Sequence, residues 1–112
     1  GLSSYSEDII RARGGYDHCF EISSHDGPDA AVVGDESGIR LEVSSDMPAL
    51  QFYTGNMIGG HVAGKKGALY NTFEGFALES QQFPNAVNEP RFPSAVIKAN
   101  EPASVFIEYR FS

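Results

Sequence analysis

Gly75-Phe76-Ala77-Leu78-Glu79-Ser80-Gln81-Gln82-Phe83-Pro84 is the stretch on which the reading of this chain turns, with a proline-rich run from Asn85 to Pro93 behind it. Alternation along Phe76 to Gln81 puts Phe76, Leu78 and Ser80 on one face of a strand and Ala77, Glu79 and Gln81 on the other. The strand therefore delivers one carboxylate, Glu79, away from its large apolar pair. Pro84, Pro90 and Pro93 each lack an N–H and hold φ near −65°, so regular pairing stops there and a stiff loop follows. A carboxylate at a strand end beside a rigid loop suits a binding or catalytic group. On this stretch alone, an edge-strand glutamate facing water explains the pattern better.

Working outward, the clearest pattern runs from residue 34 to 53. Gly34 to Gly38 is a turn; Ile39, Leu41 and Val43 then face inward while Arg40, Glu42 and Ser44 face out. Ser45-Asp46-Met47-Pro48 turns the chain into a second strand, Ala49 to Tyr53, which predicts a hairpin or an antiparallel meander. Upstream, Gly14-Gly15 leads into a strand over Tyr16 to Ile22, Ser23 to Asp29 is a turn, and Ala30 to Val33 is a short strand. Ser6 is placed to cap a helix over Glu7 to Arg13, stopped by Gly14, with an extended approach segment as the alternative. Gly55 to Gly67 reads as a mobile surface loop and Ser104 to Phe111 as the last strand. There is no internal repeat and no linker. The class is mainly β, an antiparallel β-sandwich, with residues 1–112 forming a single domain portion.

Composition narrows the function. A net charge of −7 and a pI near 4.7 argue against nucleic acid or an anionic membrane surface as partner. No apolar run approaches the ~20 residues needed to cross a bilayer. The single cysteine, Cys19, and the absence of a glycosylation sequon suit a cytoplasmic protein. The glycines lack nucleotide-loop spacing, His18, His25 and His61 are too scattered for a metal site, and no nucleophile elbow is present. What remains is a set of polar residues on apolar strands: Asp17, His18, Gln51 and Glu79. Singly, each fits exposure or a structural hydrogen bond. Together they suit a pocket for a polyhydroxylated ligand, with Phe52, Tyr53 or Phe83 as apolar walls.

Four blocks carry a resemblance: Gly15-Tyr16-Asp17-His18; Gln51-Phe52-Tyr53-Thr54-Gly55-Asn56; Gly75 to Gln81 with Phe83-Pro84; and Asn88-Glu89-Pro90-Arg91-Phe92-Pro93. In order and spacing they resemble the aldose 1-epimerases (galactose mutarotases), over essentially the whole chain. The resemblance implies a C-terminal third, because chains of that family are about three times this length. It also implies a galactose mutarotase-like supersandwich that interconverts the α and β anomers of aldohexoses such as galactose and glucose. Glu79 would be the general base, partly desolvated, and Asp17 and Gln51 would hold sugar hydroxyls. His18, Phe52 and Phe83 would be support. The acid histidine would lie outside these residues, in an N-terminal segment of the same protein or a complementary chain. Acid and base acting on opposite ends of a hemiacetal require no cofactor and no metal. The isolated chain should then be nearly inactive. Two alternatives are a non-catalytic carbohydrate-binding β-sandwich module and a structural domain whose polar residues are incidental.

Overall fold

A computed structural model describes Arg11, residues 14–61 and residues 63–112. Apart from Arg11, the expected helix over Glu7 to Arg13 lies outside the described residues. Among the described residues there are six strands: β1 (Asp17–Glu21), β2 (Ala30–Val33), β3 (Arg40–Ser45), β4 (Ala49–Tyr53), β5 (Ala77–Gln81) and β6 (Ile107–Phe111). They form two three-stranded sheets, ordered β1-β4-β5 and β2-β3-β6. The fold is mainly β and antiparallel. Among the described residues, no helix is long and apolar enough to cross a membrane. The backbone divides into two compact units, Gly1–His18 with Gln51–Ala77, and Cys19–Leu50 with Leu78–Ser112.

In the second unit, β3 is the central strand of its sheet. It pairs antiparallel with β2 (Ala30 opposite Val43, Val33 opposite Arg40) and with β6 (Leu41 opposite Phe111, Ser45 opposite Ile107). The β2–β3 connection is a tight hairpin. Gly38 N–H donates to the Gly34 carbonyl at 2.8 Å, and Gly34 N–H to the Ile39 carbonyl at 2.9 Å. Gly38 sits at φ +68°, a conformation that a Cβ would disfavour. Val43 is 0% exposed, whereas Ile39, expected to face inward, is 55% exposed. The strand begins only at Arg40, so Ile39 belongs to the exit of the turn and the alternation does not reach it.

The expected pairing of β3 with β4 does not occur. Asp46 N–H still donates to the Phe106 carbonyl at 3.2 Å, and Asp46 Oδ1 accepts the Phe106 N–H at 3.0 Å. Two residues on, the Pro48 carbonyl already accepts the Ile22 N–H at 2.9 Å. The chain thus leaves one sheet and joins the other across Met47. Ser45 Oγ anchors the step by donating to Asp29 Oδ2 at 2.7 Å and accepting the Met47 N–H at 3.3 Å. A strand that changes sheets and a strand that folds back present the same alternation and the same proline. Met47, Ala49, Leu50 and Ala86 join Val43 as the buried apolar residues, while β6 is exposed along its whole length.

Beyond β5, the proline-rich loop is built rather than merely stiff. Asn85 adopts the left-handed region (φ 62°), and Ala86–Asn88 makes one 3-10 turn. Phe83 and Phe92 stack with ring centroids 4.6 Å apart. Arg91 forks onto Glu89, Nε to Oε1 at 2.9 Å and Nη2 to Oε2 at 2.8 Å. That contact holds the Glu89 carboxyl below its ordinary value and lifts the Arg91 guanidinium above its own.

In the first unit, the run from Gly55 to Gly67 is irregular but tied down. Ile58 N–H and Phe73 N–H both donate to the Gly55 carbonyl, a 3-10 turn spans Lys65–Gly67, and Ala63 bridges Leu69. Gly55 itself has φ +67°, and a Cβ there would lie 2.7 Å from the Gly75 carbonyl oxygen.

Two tests follow from these geometries. Gly55→Ala should destabilise the protein by at least ~1–2 kcal/mol, from the left-handed backbone and the blocked approach to Gly75. Gly27→Ala, with open space around the new Cβ, should change stability by less than about 0.5 kcal/mol. Urea denaturation midpoints compare the two. Because the Glu89 carboxyl titrates lower in the folded protein, its pairing with Arg91 contributes above pH 4.5 and is lost as pH falls through the depressed value. An NMR titration should place the Glu89 midpoint below 4.5, and Arg91→Ala should return it upward.

Candidate functional site

The polar residues singled out in sequence occupy both units. In the first unit, Asp17 opens β1 and Gln51 lies at the centre of β4. Gln51 Nε2 donates to Asp17 Oδ1 at 2.7 Å. The bond fixes both head groups. Since an ionised carboxylate and an amide carbonyl are acceptors, the pair offers lone pairs in a set orientation to hydroxyl donors.

The backbone beneath that pair is locked by Thr54. Its Oγ1 accepts the Tyr16 N–H at 2.8 Å and donates to Asn56 Oδ1 at 2.9 Å, while Thr54 N–H donates to the Tyr16 carbonyl at 3.1 Å. Asn56 is 4% exposed. Nothing in the alternation of β4 pointed to Thr54 or Asn56; the available signal was a threonine and an asparagine flanking a glycine just past a strand. Tyr53, a candidate wall, uses its hydroxyl to accept the Met57 N–H at 3.0 Å.

His18 and Phe52 occupy the other side. Tyr16 and His18 share the strand face opposite Asp17, as Phe52 does opposite Gln51. Tyr16 meets His18 edge-on at 5.7 Å and lies 5.2 Å from Phe52, which in turn meets Phe76 at 6.5 Å. His18 Nδ1 accepts the Asp17 N–H at 2.9 Å. These aromatic rings back the strands; they do not line the face that carries Asp17 and Gln51. Phe52 is therefore no wall for the Gln51 amide, because neighbours in a strand project oppositely.

In the second unit, Glu79 stands in the middle of β5 and is exposed. Nothing among the described residues supplies the partial desolvation expected of a base. Two positions on, Gln81 reaches over from β5 and donates through Nε2 to Cys19 Sγ at 3.4 Å. That contact spans 62 residues of sequence and had no signature beyond Gln81 sharing the face of Glu79. Phe83 is half-buried against Phe92. His25 Nδ1 lies 2.9 Å from Asp29 Oδ1, an ion pair when the ring is protonated. Among the described residues, no three His, Cys, Asp or Glu side chains gather to hold a metal ion.

Comparison with known proteins bears on the same residues. The pattern of the aldose 1-epimerase family matches residues 2–110. The galactose mutarotase of Sus scrofa is 45% identical over 89 residues, which is 78% of this chain and 26% of that protein. The Homo sapiens galactose mutarotase is 41% identical over 100 residues, 88% of this chain and 29% of its own length. The aldose 1-epimerase of Escherichia coli (strain K12) is 34% identical over 111 residues, 95% and 32% respectively. In three dimensions the chain resembles the crystal structure of a GalM/aldose epimerase homologue from C. elegans. The TM-score is 0.68 at 24% identity, over 88% of this chain and 30% of that one. The chain thus spans between a quarter and a third of the length of these relatives, and matches their C-terminal part. With the family pattern matched almost end to end, the chain belongs to the aldose 1-epimerase family.

Proposed function

We propose that the protein containing this chain is a cytosolic aldose 1-epimerase, interconverting the α and β anomers of free aldohexoses such as galactose and glucose. The observation that carries this reading is the Gln51–Asp17 bond, a pre-set acceptor pair, in a chain whose relatives are galactose mutarotases.

The chemistry uses one base and one acid. Glu79 takes the proton from the C1 hydroxyl while an acid protonates the ring oxygen, and the C1–O5 bond breaks to give the open-chain aldehyde. Rotation about C1–C2 presents the other face of the carbonyl. Reclosure with the proton roles reversed delivers the opposite anomer, and both groups return to their starting states. Asp17 and Gln51 hold sugar hydroxyls, and the Tyr16, His18 and Phe52 rings stiffen the strands beneath them.

The acid comes from outside these residues, and so does the desolvation of Glu79. Exposed apolar side chains support that division. Val105, Ile107, Tyr109 and Phe111, which alternation puts on one face, are all open to solvent, as is Phe106 between them. Strands from the remainder of the protein, or from a complementary chain, are their natural cover.

In the complete enzyme, Glu79→Gln should lower kcat by ~10²–10⁴-fold, the usual contribution of a positioned base. Asp17→Ala should raise KM and lower kcat together, since it removes contacts that also orient the sugar. Polarimetry of freshly dissolved α-D-galactose measures both. These 112 residues alone should leave the rate at its uncatalysed level. Saturable sugar binding by the complete protein without turnover would instead make it a carbohydrate-binding module.

A further inference from the structure

The turn Ser24-His25-Asp26-Gly27-Pro28-Asp29 carries two aspartates, and the fold treats them in opposite ways. The Asp29 side chain is 1% exposed. Its Oδ2 accepts the Ser45 hydroxyl at 2.7 Å, and its Oδ1 lies 2.9 Å from His25 Nδ1. Ala30, the next residue, is already the start of β2. Asp26 is exposed, and so is Gly27. Both border an open cleft of about 330 Å³, so water reaches them. All of these residues lie in the second unit.

The carboxyl carbon of an aspartate is open to attack by the amide nitrogen of the following residue, because the two close a succinimide ring. A side chain on that following residue crowds the approach. Of all the Asp and Asn residues in the chain, Asp26 alone is followed by glycine. Among the described residues no acceptor holds the Gly27 N–H. A Cβ built at Gly27 would meet nothing within 4 Å, so the peptide has room to turn. Pro28 lacks an N–H and disfavours the helical region for Gly27, which keeps regular pairing away from the turn. Finally, Asp26 Oδ2 accepts the Ser24 hydroxyl at 2.5 Å, which places a donor on a carboxyl oxygen.

We propose that Asp26-Gly27 is a self-modification site, at which Asp26 converts to isoaspartate as the protein ages. The Gly27 nitrogen bonds to Cγ of the protonated Asp26 carboxyl, and the carboxyl hydroxyl leaves with the amide proton as water. Water then adds to one of the two carbonyls of the succinimide. Breaking the Cγ–N bond restores aspartate. Breaking the bond from nitrogen to the Asp26 backbone carbonyl carbon leaves the main chain running through Cγ, with a free α-carboxylate. One water leaves and one returns, so mass is unchanged and no oxidant takes part. The main chain gains a methylene inside the loop that the His25–Asp29 contact closes. That loop also holds the Asp29–Ser45 bond, which anchors the change of sheet. The proposal does not depend on the epimerase reading.

The test is to hold the complete protein at neutral pH and physiological temperature for several weeks, beside Gly27→Ala and Asp26→Glu. Both variants alter exposed positions and retain the fold. Trypsin releases residues 14–40, a peptide that carries Asp17, Asp26, Asp29 and Asp35. Chromatography separates its isomers of equal mass, and electron-transfer fragmentation locates the altered residue. An isoaspartyl methyltransferase with labelled S-adenosylmethionine measures the total. Isoaspartate should accumulate at Asp26 and not at Asp29. Gly27→Ala should form it about tenfold more slowly, and in Asp26→Glu methylation of this peptide should fall to background. An aged protein without isoaspartate at Asp26 overturns the proposal. So does conversion of Asp17 or Asp35 at the same rate, which would be general ageing rather than a property of this turn. An unchanged rate in Gly27→Ala overturns it as well.

Discussion

The step from Asp46 to Pro48 is the constraint on which the second unit depends. Within three residues the backbone releases one sheet and enters the other, with Asp46 still bonded to Phe106 and Pro48 already bonded to Ile22. The arrangement works because Pro48 has no N–H to leave unsatisfied and offers only its carbonyl. Ser45 makes the step specific, tying its hydroxyl to a carboxylate sixteen residues earlier in the chain. Once the step is fixed, Val43 is committed to the sheet of β2 and β6, and Ala49 and Leu50 enter the other strand as buried side chains. The position of every polar residue on β4 follows from that entry, Gln51 included.

Orientation within each strand was legible from the letters. The alternation that separates Glu79 from Leu78 and Gln51 from Phe52 is a local rule, and it placed β2 and β4 at their observed bounds. Pairing was less legible. A turn between two alternating runs predicts a hairpin, and the sequence around Met47 has no feature that distinguishes folding back from crossing over. Ile39 shows the same limit on a smaller scale, because its exposure depends on where the hairpin hydrogen bonds end.

The candidate site divides along the same line. Asp17, Gln51 and Glu79 were found as polar residues on apolar strands, a signal carried by composition and spacing. Thr54, Asn56 and Gln81 were not, because their roles are set by partners distant in sequence: Tyr16 for Thr54, Cys19 for Gln81. The division of labour is physical. Polar residues that break the local pattern can be seen in the letters, whereas residues that hold them in place obey it. Phe52 is instructive here: offered with Tyr53 and Phe83 as an apolar wall, it packs between Tyr16 and Phe76 on the strand face opposite Gln51.

The pairing of β3 with β6 also constrains how the protein is made. Leu41 sits opposite Phe111, so seventy residues separate partners that must lie side by side (111 − 41). At about 5–20 residues per second, a ribosome needs roughly 4–14 s to supply the second partner after the first. During that interval the β2–β3 hairpin can close while Val43 keeps one flank open. A nascent chain with an unpaired, valine-bearing edge is a natural client for a chaperone. Translation speed across the intervening glycine- and proline-rich segments therefore sets how long the β2–β3 hairpin waits for β6.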